Sequence, residues 1–406
     1  MASRFLSMPV RRMLEKAVKA ARDVAEEGAA DAIRRLAVAD AAAPATFDES
    51  EKALRRRLRA HARTMGDLAT ADGTHEVRHL VEATAYAQWH RRLFARFLAE
   101  RGLLRHPDHG SVSLDDCEEL ASREGFADAS AAAESYGARM LPGVFNPDDP
   151  VLALEFAPEH AQAIRRLVEG LDAATFQADD SLGWTYQFWR ATEKDRVNKA
   201  GGKIGAAELP AVTQLFTEPY MVRFLLHNTL GAWRAGKILA GRPELAARAP
   251  DEDALRAAVG LAGYDFDMLR FVREEEDAPR WRPAAGTYAG WPTEAAKLTV
   301  LDPCCGSGHF LTEALTILAG LRAQEEALAP AEAVAAVLRD NLFGLEIDGR
   351  CVQIAAFAVA LTAWKLGGFQ ILPPPHIAWV GAPPPLPKPE FIALANGDQE
   401  LGEGLD

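Results

Sequence analysis

The stretch that most constrains the fold runs from Leu298 to Glu313 and reads L-T-V-L-D-P-C-C-G-S-G-H-F-L-T-E. Its apolar start, 298–301, is typical of a buried β-strand, and Gly306 and Gly308 form a turn behind it. The apolar residues of 310–318 then recur at helical spacing. A strand, a glycine turn and a helix in this order place a cofactor against backbone N–H groups at the start of the helix.

A second unit of the same kind follows. An apolar strand is predicted at 342–347, a helix at 350–365 and a third strand at 377–380. Strands that alternate with helices favour a parallel α/β sheet. The first 170 residues carry helix-period apolar positions throughout, so an all-helical N-terminal domain is expected ahead of this sheet.

Charge and composition limit the classes of function. The net charge of −13 argues against non-specific coating of nucleic acid. No apolar run reaches the roughly 18 residues of a membrane span, and the N-terminus lacks the apolar region of a secretory signal. The four cysteines form no disulfide framework, which favours the cytoplasm.

Two local motifs each have two interpretations. The helix at 50–70 carries Arg55, Arg56, Arg57 and Arg59, which form either a solvated surface or a patch that contacts DNA phosphates. The sequence H-E-V-R-H at 75–79 matches the zinc-peptidase pattern H-E-x-x-H. No third ligand follows it at a suitable spacing, so surface histidines are the preferred interpretation and no metal is predicted.

The choice of cofactor depends on the glycine turn. A nicotinamide dinucleotide requires G-x-G-x-x-G and an acid about 20 residues later. Here the third glycine is missing, and Glu346, the acid that ends the second strand, comes much later. S-adenosylmethionine has no pyrophosphate and needs close backbone approach and a carboxylate for its ribose hydroxyls. Asp302 and Glu346 suit those roles, so the turn favours S-adenosylmethionine.

Another helix start offers free N–H groups. In T-E-P-Y, Thr217 is the predicted N-cap, and Pro219 falls in the first turn, where proline is tolerated. Such a helix start suits an anionic group such as a carboxylate.

These motifs carry a family resemblance. D-P-C-C-G-S-G-H-F-L resembles motif I of the gamma-type adenine DNA methyltransferases, and G-L-E-I-D resembles motif II. T-Q-L-F-T-E-P-Y-M-V-R-F-L-L-H-N-T-L-G resembles motif X, which precedes motif I in that class. With the helical N-terminus and W-T-Y-Q-F-W, the chain is similar over nearly all its length to the PglX-like adenine methylases of phage-defence islands, above all that of the DISARM system.

The resemblance implies methyl transfer from S-adenosylmethionine to the exocyclic amine of adenine, which such enzymes flip out of double-stranded DNA. The cofactor contacts that it implies are Thr217, Asp302, Cys304, Gly306, Gly308, Phe310, Glu346 and Ile347. The domains expected are a helical N-terminal domain (1–175), a helical segment with motif X (176–297) and the S-adenosylmethionine-binding part of an incomplete Rossmann-like sheet (298–406).

One element of the family is missing from the sequence. The tetrapeptide Asn/Asp-Pro-Pro-Tyr/Phe, which binds the target amine, does not occur. In the gamma order it would follow Asp406, so this chain alone is expected to bind the cofactor weakly or not at all and to transfer no methyl group. The alternatives are a subunit that pairs with a second chain or other defence subunits, and a non-catalytic DNA-binding scaffold that uses the arginine-rich helices.

Overall fold

The computed structural model describes residues 5–200, 217–274, 280–286 and 288–380. The chain divides into two compact units, residues 1–216 and residues 217–406. The part of motif X that ends at Phe216 and all residues after Val380 lie outside the described residues. The three-part division expected from the sequence stays a prediction.

Helices dominate the first unit because apolar residues recur there at helical spacing. They are α1 (Met8–Arg35), α2 (Glu49–Thr64), α3 (Arg78–Glu100), α4 (Leu114–Glu124), α5 (Ala129–Met140), α6 (Pro142–Phe145), a 3₁₀ turn (Pro150–Ala153), α7 (Pro158–Glu169), α8 (Ala173–Gln177) and α9 (Ser181–Ala200).

The first unit is not purely helical, contrary to the sequence expectation. Two residues at β1 (Arg105–His106) pair antiparallel with β2 (Gly110–Ser111). Strands of two residues are too short to show an alternating pattern, and the turn depends on Gly110, whose φ is +77°.

Stacked aromatic rings hold the helices of this unit together. Trp89 on α3 stacks on Trp189 of α9 with ring centroids 4.5 Å apart. Arg22 of α1 donates from Nη1 to the carbonyl oxygen of Trp189 at 2.6 Å. The aromatic helix around 184–189 is therefore part of the core.

The second unit alternates helices and strands. Its elements are α10 (Pro219–Leu226), a π-helical segment (His227–Gly231), α11 (Ala232–Gly241), α12 (Pro243–Arg248), α13 (Glu252–Val259), β3 (Phe271–Glu274), β4 (Arg280–Pro283), a 3₁₀ turn (Ala295–Lys297), β5 (Val300–Asp302), α14 (His309–Glu326), α15 (Pro330–Asp340), β6 (Leu342–Glu346), α16 (Gly349–Gly367) and β7 (His376–Trp379).

The strands β5, β6 and β7 form a parallel sheet in that order, as the alternation predicted. Asp302 is in register with Gly344, and Glu346 is in register with Trp379. The strand that precedes the glycine turn begins at Val300, two residues later than expected.

A buried asparagine joins the first two strands. Asn341 is completely buried and donates from Nδ2 to the carbonyl oxygens of Leu298 (2.6 Å) and Ala295 (3.1 Å). Its Oδ1 accepts a hydrogen bond from Nη1 of Arg322 on α14 at 3.1 Å. Because Asn341 directly precedes β6, it fixes the approach to β5 against the start of the next strand.

Within the ranges that the structure describes, no helix is long and apolar enough to span a membrane.

Candidate functional site

Two carboxylates lie at the same edge of the parallel sheet. Asp302 ends β5 and Glu346 ends β6, the central strand. The carboxyl ends of parallel strands meet at one edge, which is where open α/β sheets bind ligands. The structure therefore brings together the two acids that the sequence singled out.

Glu346 holds the glycine turn in place. It is 6% exposed, and its Oε2 accepts a hydrogen bond of 2.7 Å from the backbone N–H of Gly306. Its Oε1 accepts one of 3.0 Å from the N–H of Asp348. A carboxylate has about four lone-pair sites, so each oxygen retains capacity for a further donor.

Asp302 is the less satisfied of the two acids. Its Oδ1 accepts a hydrogen bond of 3.2 Å from the N–H of Cys304. Its Oδ2 is buried and has no hydrogen-bond partner among the described residues. Burial raises the pKa of Asp302, and the negative charge of Glu346 adds to that effect. A ligand hydroxyl or ammonium would supply the missing donor.

The two glycines of the turn have different surroundings. Gly306 has φ of +53°, and a Cβ added there would meet nothing within 4 Å, so the backbone is open to a ligand. Gly308 has φ of +83°, and a Cβ there would lie 3.0 Å from Cα of Ala355 on α16. Gly308 therefore serves close helix packing rather than an open surface.

The neighbouring cysteines differ in exposure. Cys304 is exposed at the turn. Cys305 is buried and donates its N–H to the carbonyl oxygen of Leu345 on β6 at 3.0 Å. Burial raises the pKa of the Cys305 thiol to about 12, which makes it a packing group and not a nucleophile.

Phe310 and Ile347, two further predicted contacts of this site, differ in their exposure. Phe310 is half-buried and packs against the core of the unit, and its contact with the cofactor stays a prediction. Ile347 is 41% exposed beside Glu346, and its carbonyl oxygen accepts a hydrogen bond of 2.9 Å from Nε1 of Trp379.

Trp379 is a candidate that the sequence reasoning missed. Its side chain is 53% exposed although it is fixed through Nε1 and lies over Gly349, where a Cβ would come within 3.3 Å of the ring. The available signal was an aromatic residue at the carboxyl end of the third predicted strand. The ring presents a fixed aromatic surface next to Ile347.

The helix start at Thr217 differs from the prediction. The N-cap of α10 is Glu218, and no side chain caps the helix, so the assignment of Thr217 as N-cap was wrong. Pro219 does stand in the first turn. Proline has no N–H, so the first turn already presents one donor fewer for a side-chain cap to satisfy.

The four arginines of α2 that the sequence singled out divide into two pairs. Arg55 is buried and donates from Nε to the carbonyl oxygen of Ala37 at 2.8 Å and from Nη2 to that of Asp40. Arg59 donates to the carbonyl oxygens of Val38 (2.8 Å) and Asp40. These two side chains fasten the segment after α1, whereas Arg56 and Arg57 are exposed.

The H-E-x-x-H residues are not on one helix. His75 is buried and precedes α3, which begins at Arg78, so His75 and His79 do not share a helical face. Glu76 bonds back to Leu68 through both backbone and side chain. In the described ranges no group of three or more His, Cys, Asp or Glu residues is arranged to hold a metal ion.

Comparison with known proteins finds relatives of one class of enzyme. No family model matches the chain. Two curated proteins are similar to it, and both are adenine-specific methyltransferases. The resemblance to adenine-specific methyltransferases that the motifs indicated is therefore confirmed.

The particular relatives are PglX and BrxX. PglX of Lacticaseibacillus casei (strain Zhang) is 31% identical over 228 residues, which cover 54% of this chain and 17% of PglX. BrxX of Escherichia coli O9:H4 (strain HS) is 29% identical over 201 residues, which cover 49% of this chain and 15% of BrxX. The chain thus spans less than a fifth of the length of the curated relatives it matches.

Two solved structures of DNA complexes are also similar. The ATP-dependent Type ISP restriction-modification enzyme LlaBIII bound to DNA matches 90% of this chain and 17% of its own, with 13% identity and a TM-score of 0.35. The DrdV–DNA complex matches 93% of this chain and 26% of its own, with 15% identity and a TM-score of 0.38.

Proposed function

We propose that this chain is the cofactor-binding part of an S-adenosylmethionine-dependent adenine DNA methyltransferase that serves in phage defence in the cytoplasm. The observation that carries the proposal is the pairing of Asp302 and Glu346 around the open backbone of Gly306. The relatives are methyltransferases, and methyl transfer requires a methyl donor. On this proposal, β5 to β7 are half of a Rossmann-like sheet in residues 298–406, residues 176–297 add motif X, and 1–175 form the helical domain.

The residues present suit this cofactor. The unpartnered Oδ2 of Asp302 and the remaining lone pairs of Glu346 accept hydroxyl and ammonium donors. Gly306 permits close backbone approach, and Ile347 offers an apolar surface for the adenine ring. Cys304 and Gly308 belong to the same turn, and Thr217, just before α10, is the residue that the family resemblance assigns to the methionine end. When bound, S-adenosylmethionine supplies the methyl group.

The transfer step itself needs residues that the sequence does not contain. No side-chain oxygen and proline carbonyl of an Asn/Asp-Pro-Pro-Tyr/Phe loop are available to orient the amine. We therefore propose that a further segment or second chain supplies this loop, with double-stranded DNA as substrate.

Ligand-observed NMR with S-adenosylmethionine tests the cofactor site in the full chain, because it detects dissociation constants in the millimolar range. Asp302→Ala and Glu346→Gln are each expected to abolish the NMR signal of bound S-adenosylmethionine. Glu294→Gln, which alters an exposed acid paired with Lys297, is the matched control. Binding that is unchanged in both site variants would refute the proposal.

A scaffold that binds DNA is the second candidate. The observation in its favour is that Arg56 and Arg57 are exposed and make no ion pair among the described residues. DNA retention without any cofactor binding would favour this function over the first.

A further inference from the structure

A partly buried hydrogen-bond chain connects the two helices that would border the proposed cofactor site. It runs through His227, Tyr264 and Glu313, which lie in the π-helical segment, in the loop after α13 and on α14. None of the cofactor contacts expected from the sequence takes part in it.

The direction of the chain follows from its hydrogen bonds. The N–H of Met268 donates to Nδ1 of His227 at 3.2 Å, so the proton of the neutral ring lies on Nε2. Nε2 lies 2.8 Å from the Tyr264 hydroxyl oxygen, which accepts a hydrogen bond from it. The Tyr264 hydroxyl in turn donates to Oε1 of Glu313 at 2.5 Å.

Charged groups around these hydrogen bonds also connect α10 with α14. Arg223 of α10 pairs through Nη2 with Oδ1 of Asp267 at 2.7 Å, and its Nε lies 3.7 Å from Oε1 of Glu313. Asp267 Oδ1 lies 3.4 Å from Nδ1 of His227. These are the titratable groups that face His227 from α10, from the loop and from α14.

The π-helical segment is built to direct His227 inward. The widened turn is stabilised by side chains, since Nδ2 of Asn228 donates to the carbonyl oxygen of Phe224 at 2.8 Å and Oγ1 of Thr229 to that of Leu225 at 2.9 Å. A Cβ on Gly231 would lie 2.7 Å from the ring of Phe266, so a glycine is required for that ring to pack here. π-helical turns within α-helices are frequent at functional sites.

The hydrogen-bond chain lies close to the N-terminal ends of α10 and α14. Arg223 is the fifth residue of α10, which begins just after Thr217. Glu313 is the fifth residue of α14, which begins just after the glycine turn. The contacts therefore join corresponding turns of the two helices.

We propose that His227, Tyr264 and Glu313 are positioning residues that hold the start of α10 at a fixed distance from the glycine turn, so that both ends of the cofactor are bound at once. This inference rests on the proposed cofactor site. It predicts that loss of these hydrogen bonds weakens binding of S-adenosylmethionine more than binding of adenosine. On this proposal S-adenosylmethionine contacts both the start of α10 and the sheet edge, whereas adenosine contacts only the sheet edge.

The experiment compares single-group changes in the full chain by ligand-observed NMR. Tyr264→Phe removes only the hydroxyl, and Glu313→Ala removes the acceptor. Each is expected to weaken S-adenosylmethionine binding about tenfold and adenosine binding less than about twofold. Glu313→Gln keeps an acceptor oxygen and is expected to restore most of the affinity lost in Glu313→Ala.

Tyr136→Phe is the matched control. It removes a tyrosine hydroxyl that donates to Oε2 of Glu124 at 3.0 Å in the other unit. It should lower thermal stability and leave both affinities unchanged. Equal losses for S-adenosylmethionine and adenosine in Tyr264→Phe, or no loss, would overturn the positioning role while the cofactor site stands. Failure of the unaltered chain to bind either ligand would remove the site and the positioning role together.

Discussion

The backbone N–H of Gly306 donates to the carboxylate of Glu346 at 2.7 Å across 40 positions of sequence. This bond ties the turn after β5 to the end of β6. It means that the acid proposed to bind ribose also shapes the loop that the cofactor would approach.

Replacing Glu346 is therefore expected to cost stability even without ligand. Glu346→Ala leaves the N–H groups of Gly306 and Asp348 without their acceptor, which should lower the free energy of unfolding by about 2 kcal/mol. Urea unfolding measures this. The exposed Glu294→Ala should change it by less than about 0.5 kcal/mol. Equal stability of the two variants would contradict the structural role of Glu346.

The two turn glycines should respond differently to alanine. Gly308→Ala combines a positive φ with contact to Ala355 and is expected to destabilise by about 2–3 kcal/mol. Gly306→Ala meets only the backbone penalty, about 1 kcal/mol, and its methyl group would instead occupy the open space proposed for the ligand. Urea unfolding together with ligand-observed NMR separates the two effects. A larger stability loss in Gly306→Ala would show that the turn is packed differently.

The buried His227 makes stability depend on pH below neutrality. Burial, with the positive charge of Arg223, lowers the pKa of His227 to about 4. The unfolded chain binds a proton at this residue below about pH 6.5, whereas the folded chain does not until about pH 4. The free energy of unfolding should thus fall between pH 6.5 and pH 4, by up to about 3 kcal/mol for this residue, and should not depend on it above pH 7.

His227→Gln isolates this contribution in urea unfolding at pH 7.0, 5.5 and 4.5. The variant should be less stable at pH 7.0 and lose less stability on acidification than the unaltered chain. Burial also lowers the pKa of His309 to about 4, so a residual pH dependence is expected in the variant. Parallel pH profiles for the two proteins would argue that His227 is not protonated differently on folding.

Asn341 offers a test of how the sheet is assembled. Asn341→Ala leaves the carbonyl oxygens of Ala295 and Leu298 without their donor and is expected to cost about 3 kcal/mol. Asn341→Asp should cost at least as much, because a carboxylate oxygen would face those carbonyls. Arg339→Ala removes only an exposed ion pair with Asp340 and should cost below about 1 kcal/mol. Chemical denaturation ranks the three, and a tolerated Asn341→Asp would refute this account.

The arginines of α2 separate stability from DNA binding. Arg55→Ala is expected to destabilise by about 2 kcal/mol, because two backbone carbonyls lose a buried donor. Arg56→Glu with Arg57→Glu should leave thermal unfolding within about 0.5 kcal/mol of the original and weaken retention on DNA. If the pair contacts phosphates, the dependence of binding on salt should also become shallower. Unchanged retention would leave these arginines as solvated surface.

Local patterns in the sequence determined most of the elements and the order of the second unit. The spacing of apolar residues predicted α14 and α16, and strand–helix alternation predicted a parallel sheet, because both depend on near neighbours in sequence. The meeting of Asp302 and Glu346 also followed, since parallel strands place their carboxyl ends at one edge. The roles of these residues in binding stay a prediction.

Tertiary structure decided the contacts that no local pattern in the sequence predicts. Arg55 and Arg56 are adjacent in the chain, yet Arg55 is buried against the segment that follows α1 and Arg56 is exposed. The uncapped start of α10 after Glu218 and the short strands β1 and β2 had no local signal in the sequence. The bond from Tyr264 to Glu313 spans 49 positions and exists only once the loop and α14 have packed. Sequence periodicity identifies which face of a helix is buried, and only the packed chain determines what that face meets.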